Sequence, residues 1–115
     1  MTHSNESIDQ RSANFVEAVL LRPRMYTLEG TLEEVGAFLE GFYTGMAAHN
    51  RSEAAQRESQ YWFDFCAWAA KEVGVPEGGN WYTLFQNLKQ HYAAQSDAFI
   101  NLIALYSRFR KENLI

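Results

Sequence analysis

The segment Thr31-Leu32-Glu33-Glu34 constrains the fold of this chain most strongly, because it has the chemistry of a helix start. The Thr31 hydroxyl can accept from the Glu34 backbone N–H while the Glu34 carboxylate reaches back, so that two orphan donors are satisfied at once. Downstream, Leu32, Val35, Leu39, Phe42 and Met46 recur at steps of three and four, the seam of a helix that lays one face on a core. Phe38 and Tyr43 widen that seam. Gly36, Gly41 and Gly45 each weaken a helix by up to about 1 kcal/mol relative to alanine; close approach of another helix would give them a use.

The same start and stop signals divide the rest of the chain. Ile8, Phe15, Val16, Val19 and Leu20 form a helical stripe beginning at Asp9 or Ser12, and the stripe stops at Arg22-Pro23, since proline restricts the residue before it. Residues 24–30 then form a connection. Residues 49–58 are polar and without a stripe, so they form either a loop or the start of the next helix. Between Tyr61 and Val73 a helix gathers Trp62, Phe65, Ala69 and Val73. A strand would alternate Phe63, Phe65 and Ala67, but the Ala-Trp-Ala-Ala-Lys-Glu run favours the helix. Gly74 suits its C-terminal cap, with Pro76 beyond. A turn at Glu77-Gly78-Gly79 leads to Asn80, which caps a helix bearing Trp81, Leu84, Phe85, Leu88 and Tyr92. Ser96 is expected to cap the last helix, with Asp97 in its first turn and a stripe of Phe99, Leu102, Ile103, Tyr106 and Phe109. Arg108, Arg110 and Lys111 near its end complement the helix dipole. The expectation is an all-α protein, one compact bundle of about five helices in a single domain over residues 1–115, with residues 1–7 a disordered polar tail.

Composition agrees with a folded domain. Of the 115 residues, 47% are hydrophobic and 21% charged, close to globular averages. A chain of this length buries enough surface to fold without metal or disulfides. The single cysteine, Cys66, permits no internal disulfide and fits a reducing cytosol. The polar N-terminus has no apolar signal region, and no apolar run reaches the roughly 20 residues that span a bilayer. The formal net charge of −4 opposes binding to phosphate backbones. It suits a basic partner instead.

No set of residues with catalytic spacing emerges. His3, His49 and His91 are far apart in sequence and none forms a His-Glu-x-x-His pair, so no metal site or cofactor is expected. Cys66 lies in Trp62-Phe63-Asp64-Phe65-Cys66-Ala67-Trp68, an apolar setting that raises a thiol pKa, and reads as a buried structural thiol. Nucleophile elbow, P-loop and dinucleotide fingerprints are all missing. Glu33 and Glu34, adjacent on a helix, point apart and cannot share a proton as a catalytic dyad does.

The charge layout says more. From Met25 to Asn50 there is no lysine or arginine, whereas Glu29, Glu33, Glu34 and Glu40 all fall there. Glu33, Glu40 and Tyr43 lie along one helix flank. This is either a solvated face or a docking surface for a basic partner, extended by Glu29 and His49. Arg22 and Arg24 could bond helix C-terminal carbonyls, while Met25 and Tyr26 could plug the gap between two helices.

Leu21-Arg22-Pro23-Arg24-Met25-Tyr26, then Gly30, Thr31-Leu32-Glu33-Glu34-Val35, Phe38-Leu39 and Gly41-Phe42-Tyr43, resembles a group of small bacterial proteins with an Arg-Pro-x-Met-Tyr pattern, a short Gly-containing loop and a helix ending in Phe-Leu-x-Gly-Tyr or its Phe variant. The match is clearest over residues 15–46. Genes of that group lie beside polymorphic toxin loci, so the resemblance implies a cytoplasmic immunity protein for a secreted toxin, with no catalytic residue. The Arg-Pro-x-Met-Tyr run is also similar to a segment of gyrase-type ATPase domains, but Arg24 replaces their glycine and the rest of that machinery is missing.

Three functions follow as expectations. The leading one is an immunity protein that occludes the active site of a cognate toxin domain, its acidic side chains facing a basic, nuclease-like cleft. The second is a non-catalytic helical adaptor or regulatory protein, either monomeric or homodimeric. The third, a small enzyme, would need His91 or His49 beside a carboxylate in a pocket.

Overall fold

The computed structural model describes residues 8–75 and 79–113, with side chains from Asn14 onward. Five helices follow in order: α1 (Ile8–Leu21), α2 (Leu32–His49), α3 (Glu53–Glu72), α4 (Trp81–His91) and α5 (Gln95–Glu112), with a 3-10 turn at Pro23–Met25 between α1 and α2. The all-α bundle expected from the helix signals is what forms. The expected polar tail and the Pro76-Glu77-Gly78 part of the connecting turn lie outside the described residues.

Local chemistry explains most boundaries. Pro23 ends α1 and opens the 3-10 turn, as its fixed φ and missing N–H require. The turn is stitched by Pro23, whose carbonyl accepts from Tyr26 N–H (3.1 Å) and Thr27 N–H (3.0 Å). Thr31 and Glu34 form the reciprocal box that starts α2. Asn50 and Ser52 end the polar connection, and the Ser52 hydroxyl accepts from Ala55 N–H at 3.2 Å, so that the ambiguous 49–58 stretch resolves into a short turn and the first turns of α3. The Gln56 amide closes this corner by donating to Ala47 O (2.8 Å) and Asn50 O (2.9 Å). At the other end of α3, Gly74 takes φ +94°. Val75 N–H bonds Ala70 O at 2.8 Å and Gly74 N–H bonds Lys71 O at 3.1 Å, the paired 6→1 and 5→2 bonds of a Schellman motif. Asn80 caps α4 through Thr83 N–H.

The expected Ser96 cap does not form. Helix α5 begins two residues earlier, at Gln95, with Ala94 in the cap position and no side-chain cap. Gln95 instead reaches to the start of α2, where its Oε1 accepts from Leu32 N–H at 2.7 Å. A cap is thus supplied across the fold rather than within its own helix, which local sequence cannot reveal.

Helix α3 is the centre of the bundle and packs against each of the other four. Trp62, Phe65, Cys66, Ala69 and Ala70 are all buried along it, while Ala67 is exposed; the strand alternative is thereby excluded. Trp62 stacks on Tyr43 at 5.9 Å between ring centroids. Phe65 meets Tyr106 edge-on at 4.9 Å and Phe109 at 5.5 Å. A second aromatic group, Phe15, Tyr26, Phe38 and Phe42, covers the α1–α2 contact. Helices α2 and α4 run antiparallel: Gly36 lies against Trp81 and Phe85, and Glu33 pairs with Lys89 at the opposite end of α4. Of the three helical glycines, only Gly36 has the expected close neighbour; Gly41 and Gly45 have none within 4 Å.

Candidate functional site: an exposed apolar face beside the Pro23 turn

The residues expected to make an acidic docking surface do not gather on one. Tyr43 is fully buried. Glu40 accepts from the Trp62 indole N–H at 3.0 Å and from the Thr44 hydroxyl at 3.3 Å. Glu33 is bound to Lys89, and that hydrogen bond holds its carboxyl below the usual 4.5. Glu34 is held low as well, first by the Glu29 backbone N–H and then by Thr31. The flank that seven- and three-residue steps bring together is the one α2 turns toward α3 and α4, and its carboxylates serve packing partners inside the molecule. Glu29 and His49 are exposed, the first in the 22–31 connection and the second at the far end of α2, and Glu33 and Glu40 are half-exposed.

The histidines are separated too. His91 borders a surface crevice of about 660 Å³ together with Thr31, Glu33 and Lys89. His49 lies the length of α2 away, roughly 25 Å at 1.5 Å per residue. The His91 Nδ1 sits 2.9 Å from Asn87 O; a carbonyl can only accept, so Nδ1 carries the hydrogen and Nε2 faces outward. Its carboxylate neighbour in the crevice, Glu33, is already tied to Lys89. Among the described residues no three His, Cys, Asp or Glu side chains gather as a metal site.

Cys66 is buried, and burial, helped by the negative charge of Glu40, pushes its thiol well above the ordinary range. The thiolate is the species that reacts. Native protein is therefore expected to resist alkylation by iodoacetamide, with stoichiometric labelling only after denaturation; prompt labelling of the folded protein would refute the burial.

What the surface does offer is apolar. Leu21, Met25, Leu28 and Ile100 are 58%, 68%, 85% and 65% exposed, far more than their side chains favour. Leu21 and Ile100 line a groove of about 350 Å³ between the end of α1, the Pro23 turn and the start of α5, together with Pro23, Ile103, Arg24 and Glu29. Met25 and Leu28 stand on the same connection. The expected plug is thus half correct: Tyr26 packs edge-on against Phe15 at 5.7 Å, but Met25 points to solvent. Arg22 and Arg24 are exposed. Neither guanidinium bonds a helix carbonyl among the described residues, although the Arg22 backbone N–H bonds Ala18 O at 3.1 Å; the Arg24 stem passes over Gly30 instead. The available sequence signal was Ile100, an aliphatic residue that falls off the α5 stripe.

Fold and face together define a helical bundle with an exposed aliphatic groove. No family model, no curated protein and no solved structure matches the chain.

Proposed function

We propose that this chain is a non-catalytic immunity protein, which binds a cognate toxin domain and blocks it by covering it with the Leu21–Met25–Leu28–Ile100 face. The observation that carries this reading is the exposure of Leu21 and Ile100 on one groove, with Met25 and Leu28 exposed on the connection that supplies part of its wall. Soluble monomers rarely leave such side chains together in water, and contiguous apolar patches commonly mark protein–protein contacts. A second support is that the Arg-Pro-x-Met-Tyr run, on which the resemblance to immunity-type proteins rests, contributes Pro23 and Arg24 to the groove wall. A cytoplasmic location goes with that reading; no helix among the described residues is long and apolar enough to cross a membrane.

The test is coexpression with the product of the adjacent gene. Co-purification and relief of toxicity are expected, and Leu28→Asp with Ile100→Asp should weaken the complex at least about tenfold, or 1.4 kcal/mol. Both positions are exposed, so thermal stability should stay within about 0.5 kcal/mol of the parent. A neighbour that is neither toxic nor retained, or protection undiminished by the two aspartates, would remove the proposal. The same groove is what a homodimeric adaptor would use, and light scattering separates the two: the immunity reading expects a monomer that gains mass only with its partner.

A further inference from the structure

We propose that the crevice between the end of α3, α4 and α5 is a binding site for a small uncharged heterocycle of the adenine type. Such a ring is planar, and its edge sets an N–H donor beside a ring-nitrogen acceptor. The crevice shares no lining residue with the aliphatic groove. It stands apart from the docking face and adds a second, small-molecule function.

Size and floor limit the ligand first. The crevice holds about 320 Å³, at the lower end of the roughly 300–1,000 Å³ of small-molecule sites. Its floor is aliphatic. Leu88 and Leu105 are buried there and Val73 is half-buried. Apolar side chains of this kind hold the face of a base that has left its stack. A polyhydroxylated ring would instead leave hydroxyls unpaired against the same aliphatic floor, which is costly.

The polar groups set the edge chemistry. Asn101, Leu105 and Arg108 recur at steps of four and three on α5, and Asn87 and His91 at a step of four on α4, so each helix turns one carboxamide to the crevice. Both asparagines are half-buried, and neither carboxamide has a hydrogen-bond partner among the described residues. A carboxamide offers an acceptor beside two donors, and adenine matches it with two hydrogen bonds, through its amino group and N7. The amino group of adenine also adjoins N1, so one base presents the pattern on two edges and can engage two carboxamides.

Charge excludes an ionic ligand. Glu72 and Arg108 both line the crevice, and they bond each other at 2.8 Å. The Arg108 guanidinium is further held over the Trp68 ring, 5.2 Å from its centroid. This pair cancels and leaves no spare cation for a phosphate, which the net charge of −4 also opposes. A free base or nucleoside fits these conditions, and a nucleotide does not.

The test is an NMR titration of the isotopically labelled full chain with adenine. Saturable shifts centred on the Asn87 and Asn101 side-chain amides are expected, with a Kd below about 1 mM. Unsubstituted purine, which keeps the ring and lacks the amino group, should bind at least about tenfold more weakly, because the carboxamide acceptors are then left unpaired. Asn87→Ala with Asn101→Ala should weaken adenine binding at least about tenfold. Alanine is the better helix former, so the fold should persist, as circular dichroism will verify. Asn87→Asp with Asn101→Asp keeps the shape, removes the N–H donors and should lose binding equally. Absence of saturation, shifts centred elsewhere, equal affinity for purine, or indifference to either double variant overturns the inference.

Discussion

Replacing Trp62 with alanine is expected to cost about 3–5 kcal/mol of folding stability, the range for truncating a large buried aromatic. Trp62 is 1% exposed and lies midway along the central helix α3. Three interactions end with its ring: the stack on Tyr43, the tilted contact with Phe65 at 6.0 Å, and the indole N–H bond to Glu40. The last matters beyond its own strength, because the half-buried Glu40 carboxylate loses a donor and must find water. For a chain of this length the loss corresponds to a drop on the order of 10–20 °C in Tm, which thermal melts followed by circular dichroism will read. Because such domains are stable by only about 5–15 kcal/mol, much of the population could be unfolded at room temperature. Trp62→Phe, which keeps one six-membered ring but loses the N–H and the rest of the indole, is expected to cost about 1–3 kcal/mol, less than the alanine variant. Tyr82→Ala is the matched control: Tyr82 is 55% exposed, and its loss should stay within about 0.5 kcal/mol. A Trp62→Ala protein as stable as that control would mean α3 does not centre the core.

The central position of α3 is only partly legible from sequence. Helix starts are local events, and Thr31, Asn80 and Pro23 announce them through chemistry that operates within four residues. The seams of α2, α4 and α5 are likewise local, and Leu32, Val35, Leu39, Leu84, Leu88, Leu102 and Phe109 are buried as their spacing predicts. Ser96 shows where such reasoning ends. It has the right side chain for a cap, yet α5 starts ahead of it, and the polar group that does cap there, Gln95, serves α2 from 63 residues away. Periodicity tells which residues share a flank. It does not tell which flank a neighbouring helix will cover, and that single missing fact put the buried Tyr43 on an exposed flank. A run of glutamates reads as a surface until α3 and α4 supply Trp62 and Lys89 to meet it.

The groove was hidden for the complementary reason. Leu21, Met25 and Leu28 are ordinary core material by type, and nothing in their spacing says that a proline turn would hold them outward. Ile100 is different, since it departs from the α5 stripe and a residue off its stripe has no core to enter. Large aliphatic residues beside a proline, combined with an aliphatic residue off an otherwise regular seam, therefore carry information about the surface that a search for catalytic spacings misses.

Gly36→Ala is expected to destabilise the protein by about 1–3 kcal/mol, against the ordinary trend for glycine in a helix. A methyl group at this position would fall 2.6 Å from Trp81 Cε3 and 2.8 Å from its Cζ3, with Phe85 Cδ2 at 3.2 Å. These are ring atoms, and the Trp81 ring is braced edge-on by Tyr82 at 5.6 Å and by Phe85 at 6.2 Å, so relief requires α4 to shift as a body. Overpacking of this kind typically costs about 1–3 kcal/mol, more than the gain of up to about 1 kcal/mol that alanine brings through helix propensity. The decisive comparison lies on the same helix. Gly41 and Gly45 have nothing within 4 Å of the added carbon, so Gly41→Ala and Gly45→Ala should each stabilise by about 0.5–1 kcal/mol, and together by about 1–2 kcal/mol if they act independently. Urea unfolding of the three single variants and the double variant will show whether the sign changes between residues 36 and 41. A common sign at all three positions would mean that propensity alone governs, and that α4 does not press against α2 at Gly36.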